Sequence, residues 1–227
     1  MSLRTSKARR PRWRIISIII GAVFWVAVLC ALACATCRPA WYVPMTIDQE
    51  RLKEDKREFV NMLDAIGGAL NRGQTFNLEL NEEQVNRWLA ARAELPEDWS
   101  FEVEGATFPQ ISFLAGNRVR IAATVSRAGV EVVLSATVRL DLSDEHLLIH
   151  IESVRAGSLP VPHKAAMKAL AESLEIDPAD ADRHGSNTIL TRNVWEWPNG
   201  RRRFRILTLE VDSNLTRVSL EPFGGVP

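Results

Sequence analysis

Val130-Glu131-Val132-Val133-Leu134-Ser135-Ala136-Thr137-Val138-Arg139-Leu140-Asp141-Leu142 decides how this chain folds. Its apolar residues fall on alternate positions from Val130 to Leu142, the period-two pattern of a half-buried strand. At about 3.3 Å per residue the stretch reaches roughly 43 Å, about twice a typical strand. A strand of that length must twist and coil, so the sequence predicts a curled sheet with a greasy face that needs a cover.

The flanks repeat the pattern. Val119, Ile121, Ala123 and Val125 alternate with Arg118, Arg120, Ala122 and Thr124 upstream, and Leu147, Ile149 and Ile151 follow downstream. Ala115-Gly116-Asn117, Ala128-Gly129 and Ser143-Asp144-Glu145 supply the turns, and Ile111–Leu114 a preceding strand. This is an antiparallel meander with one apolar face. A last hairpin is expected from Arg203–Val211, Asp212-Ser213-Asn214 and Leu215–Glu221.

Helices surround this centre. Thr46 and Gln49 read as a capping box. Nine of the eleven residues from Asp48 to Glu58 are charged, which predicts a solvated stalk. Phe59, Leu63, Ile66 and Leu70 then recur at helical spacing, with Gly67-Gly68 as a weak point and Gly73 as the end. Phe76, Leu78 and Leu80 mark a short strand, and Asn81 with Gln84 caps a helix turning Val85, Trp88 and Leu89 inward. Pro162 opens a further helix over about 163–174, with a polar loop at 175–186. The expected class is α+β: a long, twisted antiparallel sheet with three or four helices on its inner face.

Ahead of this body, Ile15–Cys37 runs 23 residues without a charge, enough for a helix of about 34 Å across a hydrocarbon core of about 30 Å. Trp13 precedes it and Trp41 and Tyr42 follow it, where amphipathic rings favour the headgroup level. Six cations (Arg4, Lys7, Arg9, Arg10, Arg12, Arg14) lie before the run, with no acid among them. The positive-inside bias then keeps the N-terminus cytoplasmic and exports the rest. The expected organisation is a basic segment 1–14, a signal-anchor helix 15–37, a linker 38–45 and a periplasmic or extracellular domain 46–227. A cleaved signal peptide, using Ala31-Leu32-Ala33 or Ala33-Cys34-Ala35, is the competing reading, and Ala31-Leu32-Ala33-Cys34 loosely resembles a lipoprotein signal. Cys30, Cys34 and Cys37 share one face of the run and read as packing residues, leaving the exported part without a disulfide.

Overall charge is balanced at 28 basic and 28 acidic side chains, yet residues 38–227 alone carry 22 basic and 28 acidic ones. That excludes a basic nucleic-acid-binding body, and 46% apolar content excludes a disordered acidic chain.

Chemistry is harder to find. His146 and His150 stand four apart on a strand, about 13 Å, too far to share one ion. His163, His184 and the carboxylates Glu79, Glu82, Glu83, Glu102 and Glu104 read as solvated or capping groups. Nucleophile elbows, phosphate loops and dinucleotide fingerprints do not occur. The expectation is a non-enzyme, with no catalytic residue, metal or cofactor. Asn214-Leu215-Thr216 matches a glycosylation sequon but falls in a turn that wants Asn for its backbone. One cluster stands out: Trp195 and Trp197 precede Arg201, Arg202, Arg203 and Arg205. Extended, the two rings share a face beside a cationic loop that suits a lipid headgroup or an anionic polymer. The plainer reading is a core tryptophan pair with a charged sheet edge.

The passage Phe76-Asn77-Leu78-Glu79-Leu80-Asn81-Glu82-Glu83-Gln84-Val85-Asn86-Arg87-Trp88-Leu89, the N-terminal anchor and Val154-Arg155-Ala156-Gly157-Ser158-Leu159-Pro160-Val161-Pro162 together resemble the YpmS-like family of membrane-anchored bacterial proteins. The resemblance covers about residues 75–174 and implies no catalytic residues. The layout also resembles tubular lipid-binding domains of the TULIP type, which implies an apolar groove under the long strands. The expected function is a non-enzymatic, membrane-tethered binding protein for a lipid or other apolar ligand. A packed scaffold or accessory subunit of an envelope protein complex is the alternative.

Overall fold

A computed structural model describes residues 23–30, 33–45, 48–92, 106–127, 129–162, 187–197 and 202–224. Within them the chain is α+β and its sheets are antiparallel. In chain order the elements are α1 (Gln49–Asn71), β1 (Phe76–Asn81), α2 (Glu82–Ala90), β2 (Ala106–Leu114), β3 (Arg118–Arg127), β4 (Val130–Leu142) and β5 (His146–Ala156). They continue with β6 (Leu159–Pro160), β7 (Thr188–Arg192), β8 (Trp195–Glu196), β9 (Arg203–Asp212) and β10 (Leu215–Phe223).

The expected meander forms one sheet, ordered β2-β3-β4-β5-β6, with β7 also paired to β5. The single sheet of the sequence reading is corrected to two. The last hairpin pairs instead with β1, and β8 joins β9, giving a second sheet ordered β1-β10-β9-β8. The physical reason lies in β1, whose Phe76 and Leu78 pack with Val218 and Leu220 of β10 under α1. Helix α1 therefore covers the second sheet through Ile66 and Leu70, rather than the inner face of the large one.

β9 serves both layers. Phe204 and Ile206 near its start pack below α1, while Leu209 and Val211 near its end join Phe113, Val119, Val138 and Ile151 in the core of the large sheet. Asn117 joins the sheets there. It sits at φ 56° in the β2–β3 turn, its amide and side-chain oxygen pair with Val211, and its carbonyl accepts from Leu140.

Helix α1 starts after Asp48 in extended conformation, with no side-chain cap, and not at Thr46, which lies outside the described residues. It ends as expected: Gly73 at φ 70° lets Gly73 and Gln74 donate back to Leu70 and Ala69. Gly67 is no weak point. A Cβ there would stand 3.2 Å from the Trp197 indole, so the glycine lets that ring lie against the helix. Nor is the charged half a free stalk: Asp55 is 5% exposed and held by Arg87 of α2 at 3.0 Å.

Among the described residues no helix is long and apolar enough to cross a membrane. The expected span is described only at 23–30 and 33–37, helical at 23–30 and 33–36 with Val23, Phe24, Trp25, Val26 and Leu29 exposed. The basic segment 1–14, the expected helix 163–174, and His163 and His184 lie outside the described residues.

Candidate functional site

Linker residues 38–45 are not a loose spacer. They form a strap across the outer face of the large sheet. Tyr42, 3% exposed, packs on Ala122 and Val133. Its hydroxyl lies 2.7 Å from Thr124 Oγ1 and donates to the Phe108 carbonyl at 2.8 Å. Gln110 clamps the strap with two bonds, accepting from Val43 N at 2.8 Å and donating to the Trp41 carbonyl at 3.3 Å. Trp41 lies under the Arg120 guanidinium at 4.9 Å. The headgroup role expected for Tyr42 gives way to packing within the body. Trp13 lies outside the described residues.

The helical stretch ahead of the strap is docked as well. Ser158 donates its amide and hydroxyl to the Cys34 carbonyl at 3.0 and 2.9 Å. Gly157, at φ 58°, lies so close to the Cys34 and Ala35 carbonyls that no Cβ fits. The helical stretch at 33–36 thus meets the body at the β5–β6 turn.

An open cleft of about 570 Å³ lies between the strap, α2 and the β9–β10 turn, lined by Pro44, Met45, Glu83, Arg87 and Asn214 among others. Its polar groups are largely engaged already. Asn81 Oδ1 caps α2 by accepting from Gln84 N at 2.7 Å, as the sequence predicts. Asn86 pairs with both backbone groups of Ile111 at 2.7 and 2.8 Å, and Glu82 accepts from Phe113 N at 2.7 Å. Those side chains close the free edge of β2, an arrangement that prevents strand pairing with another chain. Arg87 also reaches Glu83 at 3.2 Å. The cleft is thus a braced joint.

His150 bridges two strands. One ring nitrogen lies 3.0 Å from Asp141 and the other 2.9 Å from the Thr188 hydroxyl. A hydroxyl, an imidazole and a carboxylate in line suggest nucleophilic chemistry, but Thr188 is only 5% exposed and the hydroxyl is turned into the protein. His146 is on the same strand, as expected, and no group of three metal-ligating side chains occurs among the described residues. On the surface Glu79 raises the Arg217 pKa, first by accepting its hydrogen bond and then by charge.

The tryptophan–arginine cluster is split up. Trp197 packs edge-on to Phe204 beside α1, and Trp195 is half-buried next to β9. Arg205 is paired with Glu221 across the β9–β10 hairpin. Arg202 is half-buried and Arg203 exposed, while Arg201 lies outside the described residues. The rings needed for a shared membrane-facing surface are occupied inside the fold, as the plainer reading held for Trp197.

In comparisons with known proteins, no family model, curated protein or solved structure matches this chain.

What remains is the inner face of the large sheet. Paired residues of an antiparallel ladder share a face, so Ile121 with Ala136, Ala123 with Leu134, and Val125 with Val132 continue the face of the core pair Val119 and Val138. The core pair is buried, at 6% and 9% exposure. Further along, Ile121 rises to 45%, Leu134 to 41% and Val130 to 47%. One end of this apolar face is packed, and the other carries exposed side chains among the half-buried Ala123, Val125, Val132 and Ala136. Sequence periodicity located this face but not where its cover stops, because the cover comes from β9, whose place in a second sheet depends on distant pairing.

Proposed function

We propose that this protein is a non-enzymatic, membrane-tethered binding module that displays its body in the periplasm or outside the cell and accepts an apolar ligand. The open half of the inner sheet face carries the reading. A contiguous apolar surface of this kind is costly to leave in water and commonly marks a binding site. The tether is supported by the uncharged run 15–37, the six cations before it, and the exposed apolar side chains at 23–29. A single helix with that flank suits a cytoplasmic N-terminus.

Native mass spectrometry of the full chain, released from detergent micelles, tests the ligand: a bound lipid mass is expected, and a clean protein mass would favour the scaffold instead. A phosphatase fused after Pro227 tests the placement. Activity is expected outside the cytoplasm, and a reporter active only in the cytosol would end the reading.

A further inference from the structure

We infer that the open half of the inner face takes an acyl chain of a phospholipid drawn from the bilayer that holds the anchor; this rests on the tethered-module reading above. Three observations on separate parts of the molecule converge on it.

The first is direction. In the large sheet the start of β2, the end of β3, the start of β4 and the end of β5 share one end, as the register pairs Ala106 with Val125, Val125 with Val132, and Leu134 with Ala156. The anchor-side helix is docked at that same end, through Cys34 on Ser158 and the close approach at Gly157. Toward it the apolar face is more exposed, 41% at Leu134 and 47% at Val130 against 9% at Val138, with Ala136 and Val132 between them half-buried. The groove therefore opens where the chain leaves the membrane.

The second is length. From Val130 to Ala136 the stripe of exposed and half-buried side chains covers six residue steps, roughly 20 Å at about 3.3 Å each. One leaflet supplies chains of about 15 Å, half of a core of about 30 Å. A chain entering from the anchor side fits within the stripe and stops before the packed core at Val138.

The third is the rim. Phe108 lies at the same end, 50% exposed and at φ 50°, a conformation that bulky side chains avoid. The register of β2 shifts there, between Thr107 and Gln110, so Phe108 falls outside the regular ladder. An exposed, strained aromatic at the membrane end is placed to enter the interface. Arg155 is exposed at this end and adds a cation there, while Arg38 lies 3.8 Å from Glu131 and is already balanced by it.

The test is photo-crosslinking in the full chain, reconstituted into phosphatidylcholine–phosphatidylglycerol vesicles. Benzoylphenylalanine replaces Leu134 in one sample and Leu207 in another; Leu207 is equally exposed, at 41%, but lies on β9. After irradiation, phospholipid adducts at position 134 are expected at least ten-fold above those at 207. Dodecanoate added to the water phase separates the sources. Adducts with dodecanoate but none with phospholipid overturn the bilayer source while leaving an apolar-ligand module standing. Cross-links only within the chain or to a second copy, or none at all, overturn both. A second measurement places the probe at Ile121 and substitutes Leu134→Gln, which is mild for folding because that side chain is already open. The phospholipid adduct should fall at least five-fold, and an unchanged yield overturns the site.

Discussion

Asn193 has no exposed surface, and its side chain works as a piece of backbone. Nδ2 donates to the carbonyls of Ser143 at 3.1 Å and Ile206 at 2.8 Å, and Oδ1 accepts from Ile206 N at 2.9 Å. Asn86 does the same for Ile111, and Asn117 for Val211. Removing such a side chain strands buried polar groups, each worth about 1–3 kcal/mol. Asn193→Ala is therefore expected to cost about 3 kcal/mol, a fall in melting temperature of roughly 6–12 °C for a body of this size. Thermal denaturation followed by circular dichroism checks it, and a loss under 2 °C would contradict the role. Phe108 presents the opposite case. Phe108→Gly gives up little packing and relieves a left-handed conformation costing about 1–2 kcal/mol, against a glycine entropy cost of about 0.5–1 kcal/mol. Stability should change by less than about 1 kcal/mol, whereas Phe113→Ala, in the core at 6% exposure, should cost about 3–5 kcal/mol.

At the scale of elements, helix α1 answers to its neighbours as much as to its own sequence. Gly67→Leu would drive a side chain into the Trp197 ring and is expected to destabilise by more than about 2 kcal/mol through overpacking. One residue on, a Cβ at Gly68 meets only the flexible tip of Arg72 at 3.4 Å, so Gly68→Ala should stabilise by about 0.5–1 kcal/mol through helix propensity. The pair Asp55–Arg87 belongs here too. Arg87→Met leaves a carboxylate that is 5% exposed without its cation and should cost about 3 kcal/mol, while Arg217→Met, breaking an open pair, should leave urea unfolding unchanged. The same helix shows what a sequence can disclose. Leu63, Ile66 and Leu70, β4 from Val130 to Leu142, and the Asn81 cap were legible because spacing and capping act over a few residues. Burial of Asp55, the need for glycine at 67 and the strands β7 and β8 were not, since each depends on a partner far away in the chain. The exposed part of the apolar face was half legible: alternation gave its residues, and only the pairing of β9 showed where the packing ends.

The whole molecule is organised by the strap, which fixes residues 38–45 onto the large sheet. With Tyr42 buried on Ala122 and Val133, the body is not free to swing on residues 38–45, and the apolar face keeps one orientation relative to the helical stretch at 33–36. This has a thermodynamic consequence that can be measured in solution. A chain starting at residue 46 loses the Tyr42 ring and leaves Thr124, itself 3% exposed, without the hydroxyl it faces. Large aromatic truncations cost about 3–5 kcal/mol, so that chain should unfold at lower urea than one starting at residue 33, by an amount near about 4 kcal/mol. Tyr42→Phe separates the ring from its hydroxyl and should cost only about 1–2 kcal/mol. Gly157→Val probes the second contact by itself: it expels the Cys34–Ala35 carbonyls from the β5–β6 turn yet leaves Tyr42 in place. If the body starting at residue 46 proved as stable as the longer chain, the strap would be a passive linker. The groove would then have no fixed mouth at the membrane, and an acyl chain no preferred way in.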